Sequence, residues 1–180
     1  MKRIAVIGTV LFALILAEVA LAQEPAAPMP EILKRVLTLE GKWVATVSMQ
    51  AEGKTTQYKE CVHFRKTADK SHLLFNAKAD IPGQGKILED GLIGYDVGSG
   101  KLRWLAMNND GEFYNGIGEL PDPNHLRLIF EGQRDGKALR TVADLIWKND
   151  KTIEFKEVTT LDGEVQAQLE GTFVRKFLNF

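Results

Sequence analysis

The chain has 180 residues, 44% of them hydrophobic, with 23 basic and 24 acidic side chains and a net charge of −1. That length supports one ordinary domain with its own core. The two signs are interspersed, without the basic stripe that a phosphate backbone requires, so nucleic acid is not expected as a partner.

Lys2 and Arg3 precede an apolar run from Ile4 to Leu16, and Ala20-Leu21-Ala22 then places small side chains where a signal peptidase reads. This order predicts a signal peptide over residues 1–22 and a mature chain that starts at Gln23, exported to the periplasm or secreted. The apolar run is shorter than the roughly 20 residues that span a bilayer, so no stable membrane insertion is expected once it is removed. A retained membrane-anchoring helix is the alternative. Residues 23–30 (QEPAAPMP) read as a flexible leader, and residues 31–180 as a single domain.

The pattern from Glu31 to Glu40 is helical, because Ile32, Leu33, Val36, Leu37 and Leu39 share one face. After Gly41 the period changes to two. Trp43, Ala45, Val47 and Met49 alternate with mostly polar neighbours. Tyr58, Val62 and Phe64 do the same, as do Leu126, Leu128 and Phe130, and later Ile153 and Phe155. Turn dipeptides such as Asp110-Gly111, Asp135-Gly136 and Asp162-Gly163 punctuate these runs. About ten strands are predicted, at 41–49, 55–65, 71–79, 86–95, 101–108, 112–118, 125–131, 139–148, 151–159 and 165–176. Short loops without helices between them require antiparallel neighbours. The expected fold is all-β: an antiparallel up-and-down barrel of about ten strands with a short N-terminal helix. A two-sheet sandwich is the rival.

Cys61 is the only cysteine, which excludes an internal disulfide and leaves the fold to packing. The aligned apolar parity of strand 165–176 puts Arg175 on an inward face, where a cation without a partner is costly. In a closed barrel the first and last strands are neighbours, so stacking on the Trp43 ring would accommodate that charge.

Gly41-Lys42-Trp43 at the entry to the first strand, with Arg175 in the last, resembles the structural signature of the calycin superfamily, which includes lipocalins and fatty-acid-binding proteins. Gly91-Leu-Ile-Gly94-Tyr95-Asp96, then Trp104 and Gly116-Ile-Gly118 on the following strands, is similar to bacterial exported calycin-like families of uncharacterised function. The resemblance implies a barrel whose interior is hollow or packed. It implies no cofactor and no activity. Fatty-acid-binding proteins hold a carboxylate with Arg-x-Tyr on late strands, whereas Arg175-Lys176-Phe177 lacks the tyrosine.

Chemistry is sparse. His63, His72 and His125 form no metal-ligand spacing, so no metal is expected, although His72 begins a strand and could reach a barrel mouth as a lone haem ligand. No nucleophile elbow, P-loop or dinucleotide fingerprint occurs. No catalytic residue is assigned. Glu60 and Asp144 are the two carboxylates that share parity with apolar neighbours, either as cross-strand salt bridges or as the acid–base group of a hydrolase or isomerase. The leading expectation is a non-enzymatic barrel that binds a small apolar molecule. Its lining would come from Tyr95, Trp104, Tyr114 and Trp147, with Asn108 or Arg103 for polar contact. Glycines 91, 94, 116 and 118 would leave room beside them. A packed barrel with an envelope-maintenance or protein-interaction role is the alternative.

Overall fold

The computed structural model describes residues 29–176. The expected signal peptide, residues 23–28 of the expected leader and residues 177–180 lie outside the described residues.

Helix α1, Glu31–Leu37, follows Pro30, whose fixed φ of −57° suits the residue ahead of a first turn. Glu31 in its first turn and Lys34 and Arg35 in its last complement the helix dipole. It is shorter than the predicted 31–40. The Thr38 N–H and hydroxyl both turn back to the Arg35 carbonyl, at 3.1 and 2.7 Å, and close the last turn. Leu33, Val36 and Leu37 are buried, as is Leu39 just beyond. Each such side chain contributes on the order of 1.5–3 kcal/mol through burial.

Ten strands follow: β1 Gly41–Ala51, β2 Lys54–Lys66, β3 Leu73–Ile81, β4 Gly85–Asp96, β5 Lys101–Asn108, β6 Phe113–Asp122, β7 His125–Arg134, β8 Lys137–Asn149, β9 Thr152–Leu161 and β10 Glu164–Lys176. Every strand pairs antiparallel with its neighbour in sequence, and β1 pairs with β10, so the sheet closes into one barrel. Closure leaves no unpaired edge. The rival sandwich is not formed. Several hairpins turn on two residues with positive φ, as at Asp135 (53°) and Gly136 (76°), the geometry that matches strand twist. No helix among the described residues is long and apolar enough to cross a membrane.

Alternation sends one parity inward on each strand, and the inward side chains form two buried groups. One lies at the α1 end, where Val36, Leu39, Trp43, Leu73, Ile93, Leu102, Leu126 and Trp147 pack together. The second contains Ala45, Val47, Tyr58, Ala79, Ile81 and Phe155.

The glycines of the middle strands have a different use from the expected one. A Cβ on Gly91 would strike the Phe75 ring, on Gly116 the Phe130 ring, and on Gly118 the Leu102 side chain. At Gly94 it would strike the His72 ring. Neighbouring side chains therefore lie flat across these glycines, which permit close packing instead of leaving room.

Candidate functional site

An interior cavity of about 360 Å³ lies within the barrel. Most of its wall is apolar. Phe64 (β2), Phe75 (β3) and Trp104 (β5) form one aromatic cluster, with ring centroids 5.0–6.2 Å apart. Phe130 on β7 meets Tyr114 on β6 edge-on at 6.5 Å, and Phe155 meets Phe173 at 5.6 Å. The space comes from alanines. Ala77, Ala79, Ala106 and Ala143 all face the cavity, on β3, β5 and β8.

Three carboxyls interrupt this wall: Glu60 on β2, Glu89 on β4 and Glu157 on β9. The register sets a small side chain on at least one side of each. Glu60 lies opposite Ala45 and Ala79, Glu89 opposite Ala77, and Glu157 opposite Ala143. None of the three has a hydrogen-bond or ion-pair partner among the described residues. Each is partly accessible, and the surface it keeps is the cavity's own.

Burial pushes all three well above the ordinary carboxylate range. Glu60 rises to about 7, mainly through burial and then through repulsion by Glu157 and Glu89. Glu157 rises to about 7 through burial and the charge of Glu89. Glu89 rises to about 7 through burial and the neighbouring Asp90 on the outer face. Charging one raises the cost of charging the next, so the three titrate as a coupled set near neutrality. The same burial, followed by the charges of Glu60 and Glu157, pushes the Tyr58 hydroxyl up and keeps it neutral.

At one margin of the cavity, the Tyr114 hydroxyl donates to Glu112, which also accepts from Asn108 Nδ2 at 2.9 Å and pairs with Arg134 at 3.1 Å. Across the barrel the Thr141 and Thr159 hydroxyls lie 2.9 Å apart.

The residues singled out in the sequence fall in different places. Trp104 and Tyr114 line the cavity. Asn108 lies outside its wall and organises the β5–β6 turn, where its Oδ1 accepts from the N–H groups of Asp110 and Glu112, both at 3.0 Å. Tyr95 packs against the core at the α1 end, and Trp147 is buried there beneath the Arg35 guanidinium, 4.3 Å from the ring centroid. Arg103 faces outward and pairs with Asp96 at 3.6 Å. Gly41, at φ +122°, turns the chain into β1. Trp43 and Arg175 are register partners, with the guanidinium 4.6 Å from the ring centroid. The indole N–H donates to the Leu39 carbonyl at 2.7 Å, and Arg175 donates to the Thr38 carbonyl.

Glu60 faces the cavity, whereas Asp144 is on the outer wall between Arg127 and His125, at 2.8 and 2.6 Å. Burial opposes ionisation of Asp144, but hydrogen bonds from Arg127 and His125 outweigh it and lower its pKa. His72 rests on Gly94 outside the cavity wall, with Nδ1 2.5 Å from the Ser71 hydroxyl, so it offers the interior no haem ligand. No group of three or more His, Cys, Asp or Glu side chains among the described residues could hold a metal ion.

Glu89 and Glu157 escaped the sequence reading, although a signal was present. Glu89 continues the parity of Ile87 and Ile93, and Glu157 that of Ile153 and Phe155.

No protein-family model matches the chain, and no curated protein matches it significantly. Among solved structures it is similar to Rv2717c from M. tuberculosis, with 17% identity over 84% of this chain and 99% of that one, at a TM-score of 0.58. It is also similar to the S-type phycobiliprotein lyase CPES from Guillardia theta, with 10% identity over 82% of this chain and 92% of that one, at a TM-score of 0.53. At these identities the likeness concerns the fold alone, a closed antiparallel β-barrel.

Proposed function

We propose that this protein is an exported barrel that holds a small, largely apolar molecule in its interior. The observation that carries this reading is the cavity of about 360 Å³ walled by Phe64, Phe75, Trp104 and Phe130. That volume falls within the range of small-molecule sites, and aromatic walls supply contact area at low entropic cost. The phycobiliprotein lyase shares the fold and by its name acts on a phycobiliprotein. Export rests on the charged, apolar and A-x-A order of residues 1–22. The intact mass of protein recovered outside the cytoplasm should lack those residues; a full-length exported product would refute cleavage after Ala22, and protein confined to the cytoplasm would refute the address.

A neutral fluorescent hydrophobe, N-phenyl-1-naphthylamine, tests the cavity. It should bind with one-to-one stoichiometry. Ala77→Phe, which projects a ring into the space, should abolish that binding while the circular dichroism of the barrel persists. Unaltered binding to the filled variant would place the probe elsewhere and sink the reading.

The near-neutral Glu60 beside the cavity favours a second reading, acid–base chemistry on the bound molecule. Turnover of small esters or ketones that Glu60→Gln abolishes, with neutral-probe affinity retained, would establish an enzyme in place of a carrier.

A further inference from the structure

We propose that the molecule held in the cavity is a hydrophobic amine, its apolar body against the aromatic wall and its protonated nitrogen among Glu60, Glu89 and Glu157. This rests on the cavity reading above and adds the ligand's charge and donor chemistry.

Buried charges in folded proteins are normally paired, because an isolated one loses its hydration without compensation. Here three acidic groups from three strands, β2, β4 and β9, face one space, and each lies close enough to another of the set to feel its charge. No cation among the described residues pairs with them. Arg134 reaches the cavity margin but is paired with Glu112. Lys78 alternates with the inward Ala77 and Ala79, so its side chain is exposed on the outer face. Once these carboxyls ionise, a cation supplied by a bound molecule would pair them.

The donor inventory narrows the class. Ionised carboxylates only accept; the Tyr58 hydroxyl is the one phenolic donor left in the wall, since the Tyr114 hydroxyl is already committed to Glu112. A carboxylate or phosphate ligand would add like charge to a trio with no cation to offset it. A neutral alcohol could reach one carboxyl and leave the others unpaired. A primary ammonium brings three N–H donors and one positive charge, which matches converging acceptors on separate strands.

The proton balance follows. Near pH 6.5 the trio is largely protonated, while an alkylamine is cationic, so docking the ammonium must expel about one proton from the carboxyls. Affinity should rise from about pH 6 to 8 as the carboxyls ionise. Tyr58 and Tyr114 are pushed above their ordinary range, Arg134 is held by Glu112, and Asp90 and Lys78 are on the outer face. Facing strands β1, β8 and β10 contribute Val47, Thr141, Ala143 and Leu169, none of which titrates.

Calorimetry with octylamine, octanol and octanoate on the mature protein decides the matter. Octylamine should bind at least about tenfold more tightly than octanol at pH 7.5, with octanoate weakest. Its heat at pH 6.5 should depend on the ionisation enthalpy of the buffer, reporting release of about one proton. The Glu60→Gln/Glu157→Gln variant should lose the preference for octylamine over octanol yet still bind octanol. Equal affinity for octylamine and octanol, no proton release, or a preference unchanged in a folded double variant would each overturn the amine assignment and leave the cavity reading standing. Failure of octylamine, octanol and the neutral naphthylamine probe alike would overturn the cavity reading, and the amine with it.

Discussion

The two ends of the barrel interior treat polar groups in opposite ways. At the α1 end, two arginines lie on two tryptophans, Arg175 on Trp43 and Arg35 on Trp147. One comes from the last strand and the other from the helix, so the pair of stacks fastens α1 to the barrel floor. Arg35 also donates to Asn124 at 2.8 Å, and Arg175 to the Thr38 carbonyl. Among the described side chains, the buried nitrogen and oxygen atoms without a hydrogen-bond partner are the Nε atoms of these two guanidiniums. Around the cavity, by contrast, three carboxyls lack partners altogether and meet a void. At the floor single Nε atoms go unpaired beneath stacked guanidiniums that are otherwise bonded, whereas at the cavity whole carboxyl groups go unpaired, and that is the end available for function.

Truncation at the floor should have the largest effect. Trp43→Ala removes a buried ring, its hydrogen bond to Leu39 and the platform for Arg175, and should destabilise by about 3–5 kcal/mol in chemical denaturation. A loss below about 1 kcal/mol would mean that the floor relaxes without cost.

The cavity end predicts an effect of the opposite sign. Glu60, Glu89 and Glu157 have folded pKa values near 7, above the ordinary 4.5, so between about pH 4.5 and 7 the folded state binds more protons than the unfolded one. Their contribution to stability is therefore complete below about pH 4.5 and is lost as pH rises through 7. Ligand-free protein should be more stable at pH 5 than at pH 8, by on the order of 1–3 kcal/mol per group. Glu157→Gln should raise the melting temperature at pH 8 and leave it nearly unchanged at pH 5. Asp144 behaves conversely: its lowered pKa is a stabilisation that disappears only as pH falls below about 4.

The smallest effect is the pairwise coupling. A double-mutant cycle on Trp43 and Arg175 should return roughly 0.5–2 kcal/mol of interaction. Strict additivity would show that the stack has no energetic consequence.

Strands and closure were legible in the sequence because alternation with period two and turn dipeptides are local signals. Hydrogen bonds already satisfied within the Thr38 turn stopped α1 at Leu37, which the apolar periodicity running on to Leu39 did not reveal. The site was less legible. Parity places Trp104 and Trp147 on inward faces, yet it does not fix height along the barrel axis. That height depends on the stagger between strands, which sends Trp104 to the cavity and Trp147 to the floor. Room was likewise expected at glycines, where rings of neighbouring residues lie, and was found at alanines, whose methyl groups end short of the barrel centre. Glu89 and Glu157 needed only the extension of an alternation already visible, but a charged residue on an apolar parity is easily taken for the end of the pattern.

The placement of the three tryptophans has an optical consequence. Trp147 lies beneath the Arg35 guanidinium, away from the cavity wall, whereas Trp104 stands in that wall beside Phe64 and Phe75, and Trp43 borders the cavity from beneath Arg175. One emitter is thus set apart from an occupant, and two face it. Any molecule that enters should shift the emission of Trp104 and Trp43 against the steady background of Trp147, which makes the unlabelled chain its own gauge of occupancy.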